Sequence, residues 1–188
     1  MARSRRIRAR KPVVQKDSTQ LRKQIQSHNA RVKWFLKQRL VPTARHALLF
    51  PIIDIRPQLV LLPARDEWDP ACGCPAYPED LDADDWFKGP QSVASVDSFP
   101  GTMCHLANGY DLITLSENAR RMPTATANET LRRLFSIHWP GSVLVVKRAR
   151  RHRGAAVHIT ASEVSLISAV VQRWLQIKTK HPRLSRRQ

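Results

Sequence analysis

Apolar residues recur at helical spacing between about Ser18 and Leu40, and this stretch is the first ordered feature of the chain. The opposite face of the same stretch is basic. The pattern predicts an amphipathic helix whose apolar side lies on a domain core, with Pro42 as the residue that stops it. The apolar positions are Leu21, Ile25, Val32, Phe35 and Leu36.

The same helix can also be interpreted as part of a basic-region zipper, with positions 21, 25, 28, 32 and 35 as its seam. His28 would then occupy the seam, and about two heptads are too short for a stable dimer. Packing on a core is therefore the favoured interpretation. It assigns Trp34 and Phe35 to the core or its edge rather than to a surface that stacks on bases.

Further apolar segments predict the strands of a sheet. Residues 47–53 and 59–62 are separated by the proline-containing turn "DIRPQ", and "YDLITL" at 110–115 is a third candidate strand. "SVLVVK" at 142–147 is apolar on both faces, which predicts a buried, central strand. The segment "AAVHI" at 155–159 would pair with it in a hairpin.

Two capping-box patterns predict the helices of the C-terminal half. Thr126 with Glu129 opens a helix of about three turns, which the breaker "WPGS" ends. Thr160 with Glu163 opens the last helix directly after the hairpin. The stripe that this last helix should bury consists of Val164, Ile167, Val170, Val171 and Trp174.

These elements predict an α+β domain with a small, mostly antiparallel sheet of about four or five strands and three main helices. Its C-terminal part would be a helix–hairpin–helix unit. Along the chain we expect a basic disordered arm at 1–17, a helix and apolar hairpin at 18–65, an acidic proline-rich loop or insert at 66–105, a C-terminal unit at 106–178 that packs with 18–65 as one domain, and a basic tail at 179–188.

Charge is distributed unevenly along the 188 residues, whose formal net charge is +17. Residues 1–65 hold 16 Lys and Arg against 2 acids, 66–105 hold 1 against 9, and 106–188 hold 15 against 4. Such an excess of cations favours an anionic partner, either nucleic acid or an acidic protein. The acidic block is expected to fold back onto the basic surface and mask part of it.

The cysteine content, the apolar runs and the N-terminal segment indicate the cellular compartment in which the protein is expected. Three cysteines are too few for a secreted disulfide framework, which favours the nucleus or another reducing intracellular compartment. No apolar run approaches the roughly 20 residues of a spanning helix, so an integral membrane protein is not expected. The opening "MARSRRIRARK" fits a nuclear-import or polyphosphate-binding run, with a mitochondrial presequence as the alternative.

An arginine-rich loop, "KRARRHR" at 147–153, follows the predicted central strand. Guanidinium groups bind phosphate with paired hydrogen bonds, so this loop is the first candidate for a nucleic-acid contact. The preceding helix and the N-terminal arm add further cations. The candidate nucleic-acid-binding residues are Lys147, Arg148, Arg150, Arg151 and Arg153 in the loop, Arg132 and Arg133 on the helix, and Arg5, Arg6 and Arg8 in the arm.

Cys72, Cys74, Cys104 and His105 form the one metal-like constellation in the sequence. Thiolate and imidazole are ligands that zinc prefers, and four of them could close a tetrahedral site. The spacing argues against it, because C-x-C and an adjacent C-H strain the geometry around a single ion. Three reduced thiols and a hydrogen-bonded histidine are the simpler interpretation, with zinc as the alternative.

The sequence therefore predicts a non-enzymatic nucleic-acid-binding protein of weak sequence specificity, which neutralises phosphates and releases counterions. Two alternatives stay open. One is a protein-interaction module in which basic import signals flank a surface formed by Trp68, Trp86 and Trp139. The other is a metal-dependent nuclease that uses Asp54 and Glu67.

Overall fold

A six-stranded antiparallel sheet with helices on both faces is the framework of the described chain. The computed structural model describes residues 14–39, 43–53, 56–64, 86–87, 90–122, 125–149 and 156–180. This is the predicted α+β class, with six strands where four or five were expected. The elements are α1 Val14–Lys37, β1 Thr43–Phe50, β2 Gln58–Ala64, β3 Gln91–Ser98, β4 His105–Leu115, α2 Glu117–Arg120, α3 Glu129–Phe135, β5 Val143–Arg148, β6 Ala156–Val157 and α4 Val164–Lys180.

β5 is the central strand of the sheet, as its apolar residues on both faces predicted. The strand order is β2-β1-β5-β4-β3, and β6 pairs with the end of β5. Val143 and Val145 face the core shared with α3 and α4, while Leu144 and Val146 face the core shared with α1. Successive strand residues point to opposite faces, so four buried aliphatic residues in a row require cover on both sides.

α1 covers the outer edge of β2. Ile25 and Val32 are buried against the sheet, which confirms the predicted packing of this helix on the core. The Nε2 atom of His28 donates to the carbonyl oxygen of Leu61 at 2.7 Å, and Oδ1 of Asn29 accepts from the Leu61 N–H at 2.8 Å. These bonds satisfy both backbone groups of Leu61, which would otherwise be open at the edge of the sheet to pairing with another chain.

β3 forms within residues 91–98, which the sequence analysis had placed in the acidic loop. It pairs with β4 over most of its length. In β3, Val96 is buried and Val93 is half-buried, while its other residues are polar or small. An edge strand that buries so few side chains gives only a weak apolar pattern. Trp86 and Phe87, just before it, are buried in the α1 side of the core.

α3 is shorter than predicted, and its N-cap is Asn128 rather than Thr126. Oδ1 of Asn128 accepts from the Leu131 N–H at 2.9 Å, and its Nδ2 donates to the carbonyl oxygens of Phe50 and Gly141. Asn128 thus caps the helix and joins two other segments to it. The helix ends at Ser136, whose left-handed backbone (φ 56°) closes it before the predicted breaker.

α4 follows the predicted capping box. The Thr160 N–H donates to Oε2 of Glu163 at 2.9 Å, and a short 3-10 turn at Ala161–Glu163 leads into the helix. Its predicted stripe faces the core: Ile167, Val170 and Val171 are buried, and Val164 and Trp174 pack against them. In the described part of the chain, no helix combines the length and the apolar character that crossing a membrane requires.

Candidate nucleic-acid interface

The base of the arginine loop is neutralised by carboxylates of the same chain. Nζ of Lys147 donates to Oε1 of Glu163 at 2.6 Å, and Nη2 of Arg148 donates to Oδ1 of Asp97 at 2.7 Å. Nε of Arg148 also lies 3.0 Å from Oδ1 of Asp111. Burial by itself would raise the pKa of Glu163, but hydrogen bonds from Lys147 and Thr160 outweigh it and lower that pKa. Lys147 and Arg148 therefore already have carboxylate partners within the chain, and a phosphate would have to displace those partners to bind them.

The carboxylate beside Arg148 belongs to a buried polar cluster on the α1 side of the sheet. Asp111 is only 1% exposed, and its Oδ1 accepts from the Ser95 hydroxyl at 2.7 Å. Burial raises the pKa of Asp111, although the Ser95 hydrogen bond and the Arg148 charge oppose that rise. Gly109 leaves the room for this pairing, because a Cβ there would stand 2.8 Å from Nη2 of Arg148.

Asp97 lies in the acidic block that was expected to fold back onto the basic surface. Its contact with Arg148 joins β3 to β5 across the intervening strand β4. At this one residue the acidic block does mask a cation of the arginine-rich segment. The remaining acids of that block, at 66–85, lie outside the described residues.

The two arginines of α3 share one carboxylate. Nη2 of Arg132 lies 2.7 Å from Oε2 of Glu129, and Nε of Arg133 lies 3.7 Å from the same oxygen. The hydrogen bond from Arg132 lowers the pKa of Glu129, which stays ionised as their partner. Both arginines remain on the surface, but a phosphate would have to compete with Glu129 for them. Exposed ion pairs are weak, so this competition reduces their contribution without abolishing it.

The other predicted site residues are divided between described and undescribed parts of the chain. Cys104 and His105 are exposed at the start of β4, where Nδ1 of His105 lies 3.2 Å from the Ser98 hydroxyl oxygen. The described residues contain no group of three metal ligands. Lying outside the described residues are Arg5, Arg6, Arg8, Cys72, Cys74, Arg150, Arg151 and Arg153.

The structure also bears on the two alternative functions. Trp86 is 6% exposed and Trp139 is 3% exposed, so neither can form the protein-binding surface that the interaction-module alternative assigned to them. Both serve the core instead. Trp68, and the acids Asp54 and Glu67 of the nuclease alternative, lie outside the described residues.

The solvent-facing side of α1 is the basic surface that sequence reasoning undervalued. Residues 18–53 contain seven Lys and Arg and no Asp or Glu. Lys23, Lys33 and Lys37 on α1, and Arg39 just after its end, are exposed and form no ion pair with any described carboxylate. We call these four residues the α1 basic face. From Lys23 to Lys37, 14 positions along the chain, a helix rises roughly 21 Å, enough to face about six phosphates of one B-form strand.

Trp34 lies within the α1 basic face and is 54% exposed, whereas the sequence analysis had assigned it to the core or its edge. Its neighbours one turn away are Ala30, Arg31 and Lys37. Ala30 is too short to cover the indole. The Phe35 ring meets the indole edge-on, with centroids 5.2 Å apart, and Cζ of Arg31 lies 5.7 Å from the Phe35 centroid.

An open polar groove of about 340 Å³ runs between α1 and β2. Two guanidinium groups and three side-chain amides line it, together with the apolar residues Ile25 and Leu59. Lys33 lies one helical turn after the lining residue Asn29, so the groove adjoins the α1 basic face there. Its polar lining residues are Arg22, Gln26, Asn29, Arg56 and Gln58.

Comparison with known protein families, with curated proteins and with solved structures finds no match to this chain. A functional assignment therefore rests on the residues themselves.

Proposed function

We propose that this protein binds nucleic acid without catalysing a reaction on it, and that the α1 basic face makes the central contact. The observation that carries this proposal is the contrast between two sets of cations. Those of the α1 basic face lack a described carboxylate partner, whereas Lys147, Arg148, Arg132 and Arg133 each have one. Cations without an internal partner hold mobile counterions, and the release of those counterions drives association with a polyanion.

Weak sequence specificity follows from the kind of side chain that the α1 basic face presents. Lys and Arg on phosphates fix the position of the ligand but carry no information about its bases. The opposite side of α1 is packed along β1 and β2, so the helix cannot leave the sheet to enter a groove as an isolated rod. Arg150, Arg151 and Arg153, together with Arg5, Arg6 and Arg8, are proposed as further phosphate contacts beside the central one.

Removing charge from the α1 basic face should weaken binding far more than removing the same charge elsewhere. We expect K23Q/K33Q/K37Q to bind an oligothymidylate of about 20 nucleotides roughly 100-fold more weakly near 0.1 M salt, from about 0.7 logarithmic units per lost contact. The measurement is fluorescence anisotropy with labelled oligonucleotide, after circular dichroism has shown that the variant is folded.

The matched control is R121Q/R132Q/R133Q, which removes three arginines that already pair with Glu117 or Glu129. It should change the affinity less than about threefold, because these cations have few counterions left to release. A third variant, R150S/R151S/R153S, measures how much the arginine loop contributes to the affinity for oligothymidylate. The proposal fails if the α1 variant binds like the wild type while either of the other two loses binding.

A further inference from the structure

Trp34 is the exposed member of the four tryptophans in the described chain. Trp86 and Trp139 are buried, Trp174 is half-buried, and Trp34 keeps 54% of its surface in water. A large aromatic side chain ordinarily buries its surface in a core or an interface. Trp34 is instead exposed among cations. Proteins bind single-stranded nucleic acid through this combination of a flat aromatic ring and positive charge.

We infer that Trp34 is a stacking platform for one base of a single-stranded nucleic acid whose backbone runs along the α1 basic face. This inference rests on the proposed function and adds the class of ligand to it. Lys37 lies one turn after Trp34, and Lys23 lies about three turns before it on the same side of the helix. Phosphates on either side of the stacked base would therefore meet cations.

An aromatic contact with Phe35 restricts the Trp34 ring without covering it. The edge-on contact with Phe35 (interplanar angle 66°) holds the indole, and Phe35 is itself packed against the cluster formed by Val32, Ala44 and Leu61. A platform that is already oriented loses little conformational entropy when a base stacks on it. The short side chain of Ala30 leaves the approach to the ring open.

Single strands fit this surface better than a duplex. Bases inside a duplex are stacked on each other, and the faces of their rings are not accessible, whereas a single strand can turn a base outward. The polar groove beside the α1 basic face provides a path for the rest of the strand. Arg56 is exposed there, and Gln26 offers an amide to phosphates or base edges.

The test compares Trp34→Ala, Trp34→Phe and Leu166→Ala on three polyanions: oligothymidylate, a duplex of the same length and heparin. Leu166 is the matched control, since it is a large apolar residue 46% exposed on another helix. We expect Trp34→Ala to weaken oligothymidylate binding about five- to 150-fold, the range found for base-stacking aromatics. Heparin and duplex affinities should stay within about twofold, because they report charge alone.

Two further readouts separate stacking from a merely structural role. Trp34→Phe retains a flat ring and should keep most of the oligothymidylate affinity, and Leu166→Ala should keep all of it. Saturating oligothymidylate should quench tryptophan emission more strongly in the wild type than in Trp34→Phe, since the other described tryptophans are at least half-buried.

Three results would overturn the inference, and each points to a different cause. Unchanged oligothymidylate binding by Trp34→Ala would exclude stacking, and the proposed function would still stand if K23Q/K33Q/K37Q lost affinity. An equal loss on all three polyanions would mean that Trp34 supports the arrangement of the cations instead. Failure of the wild type to bind any of them would remove the proposed function as well.

Discussion

Affinity for oligothymidylate should fall about 600-fold when the salt concentration rises from about 0.05 to 0.5 M, because four phosphate contacts give a logarithmic slope of about −2.8 at about 0.7 each. The four contacts are those of the α1 basic face. Any contribution from the arginine loop or the N-terminal arm would make the slope steeper. Anisotropy titrations at five or six salt concentrations measure it directly.

The same titration distinguishes the α1 basic face from the rest of the positive surface. In K23Q/K33Q/K37Q the slope should shrink by about 2.1, whereas in R121Q/R132Q/R133Q it should stay close to that of the wild type. A wild-type slope near zero would exclude counterion release as the driving force. An equal reduction in both variants would mean that only total charge matters and that no particular surface does.

Replacement of Arg148 should have the largest effect on folding stability. Arg148→Met leaves the carboxylate of Asp111 buried without a cation, and losing one partner of a buried ion pair costs about 3 to 5 kcal/mol of the free energy of unfolding. Arg132→Met is the matched control, since its pair with Glu129 is exposed and its loss should change the free energy of unfolding far less than Arg148→Met does. Urea denaturation measures both values.

The pH dependence of this loss follows from the raised pKa of Asp111. Burial raises it above 3.8, and removal of the Arg148 charge raises it further. The folded state then binds a proton more tightly than the unfolded state, so stability rises as the pH falls through the raised pKa, until the unfolded chain is protonated too. The loss of unfolding free energy caused by Arg148→Met should therefore be smaller near pH 4.5 than near pH 7. At the lower pH the Asp111 carboxylate takes up a proton, which removes the unpaired buried charge.

A second substitution checks the same cause. In Arg148→Met/Asp111→Asn no charge remains buried, and the amide oxygen of the new side chain can still accept from Ser95. Most of the lost stability should return. If Arg148→Met were no more destabilising than Arg132→Met, or if its effect were the same at both pH values, the buried pair would not be what holds this part of the sheet.

Local patterns in the sequence were sufficient for the elements that bury a regular set of side chains. β5 is apolar at every position from Val143 to Val146, and only a central strand buries both faces. α4 combines a capping box at Thr160 with an uninterrupted apolar stripe. In these segments the local preference and the tertiary environment agree, so the sequence alone indicated the structure.

Elements whose identity depends on distant partners were not predictable in the same way. β3 is recognisable through its pairing with β4 rather than through its own residues. The role of Asn128 as cap depends on the carbonyl of Phe50, which lies 78 positions away in the chain. Thr126 and Asn128 are both residue types that favour an N-cap position. Which of them caps the helix is decided by tertiary packing rather than by the local sequence.

The candidate site differed from prediction for a similar reason. The arginine-rich segment showed charge in its sequence, but the ion pairs of Arg148 with Asp97 and of Lys147 with Glu163 are set by strand register and by the position of α4. For the α1 basic face, by contrast, the helical spacing of the sequence did indicate that Trp34 is exposed. On a helix, Trp34 lies about 200° from the buried Val32, which places it on the solvent side.

Backbone amide NMR mapping of bound oligothymidylate tests most directly whether the α1 basic face is the contact surface. We expect chemical-shift changes to concentrate at residues 22–39 and at the indole N–H of Trp34, with smaller changes along the groove at 56–59. Changes confined to residues 117–149, with α1 unaffected at saturating ligand, would contradict it.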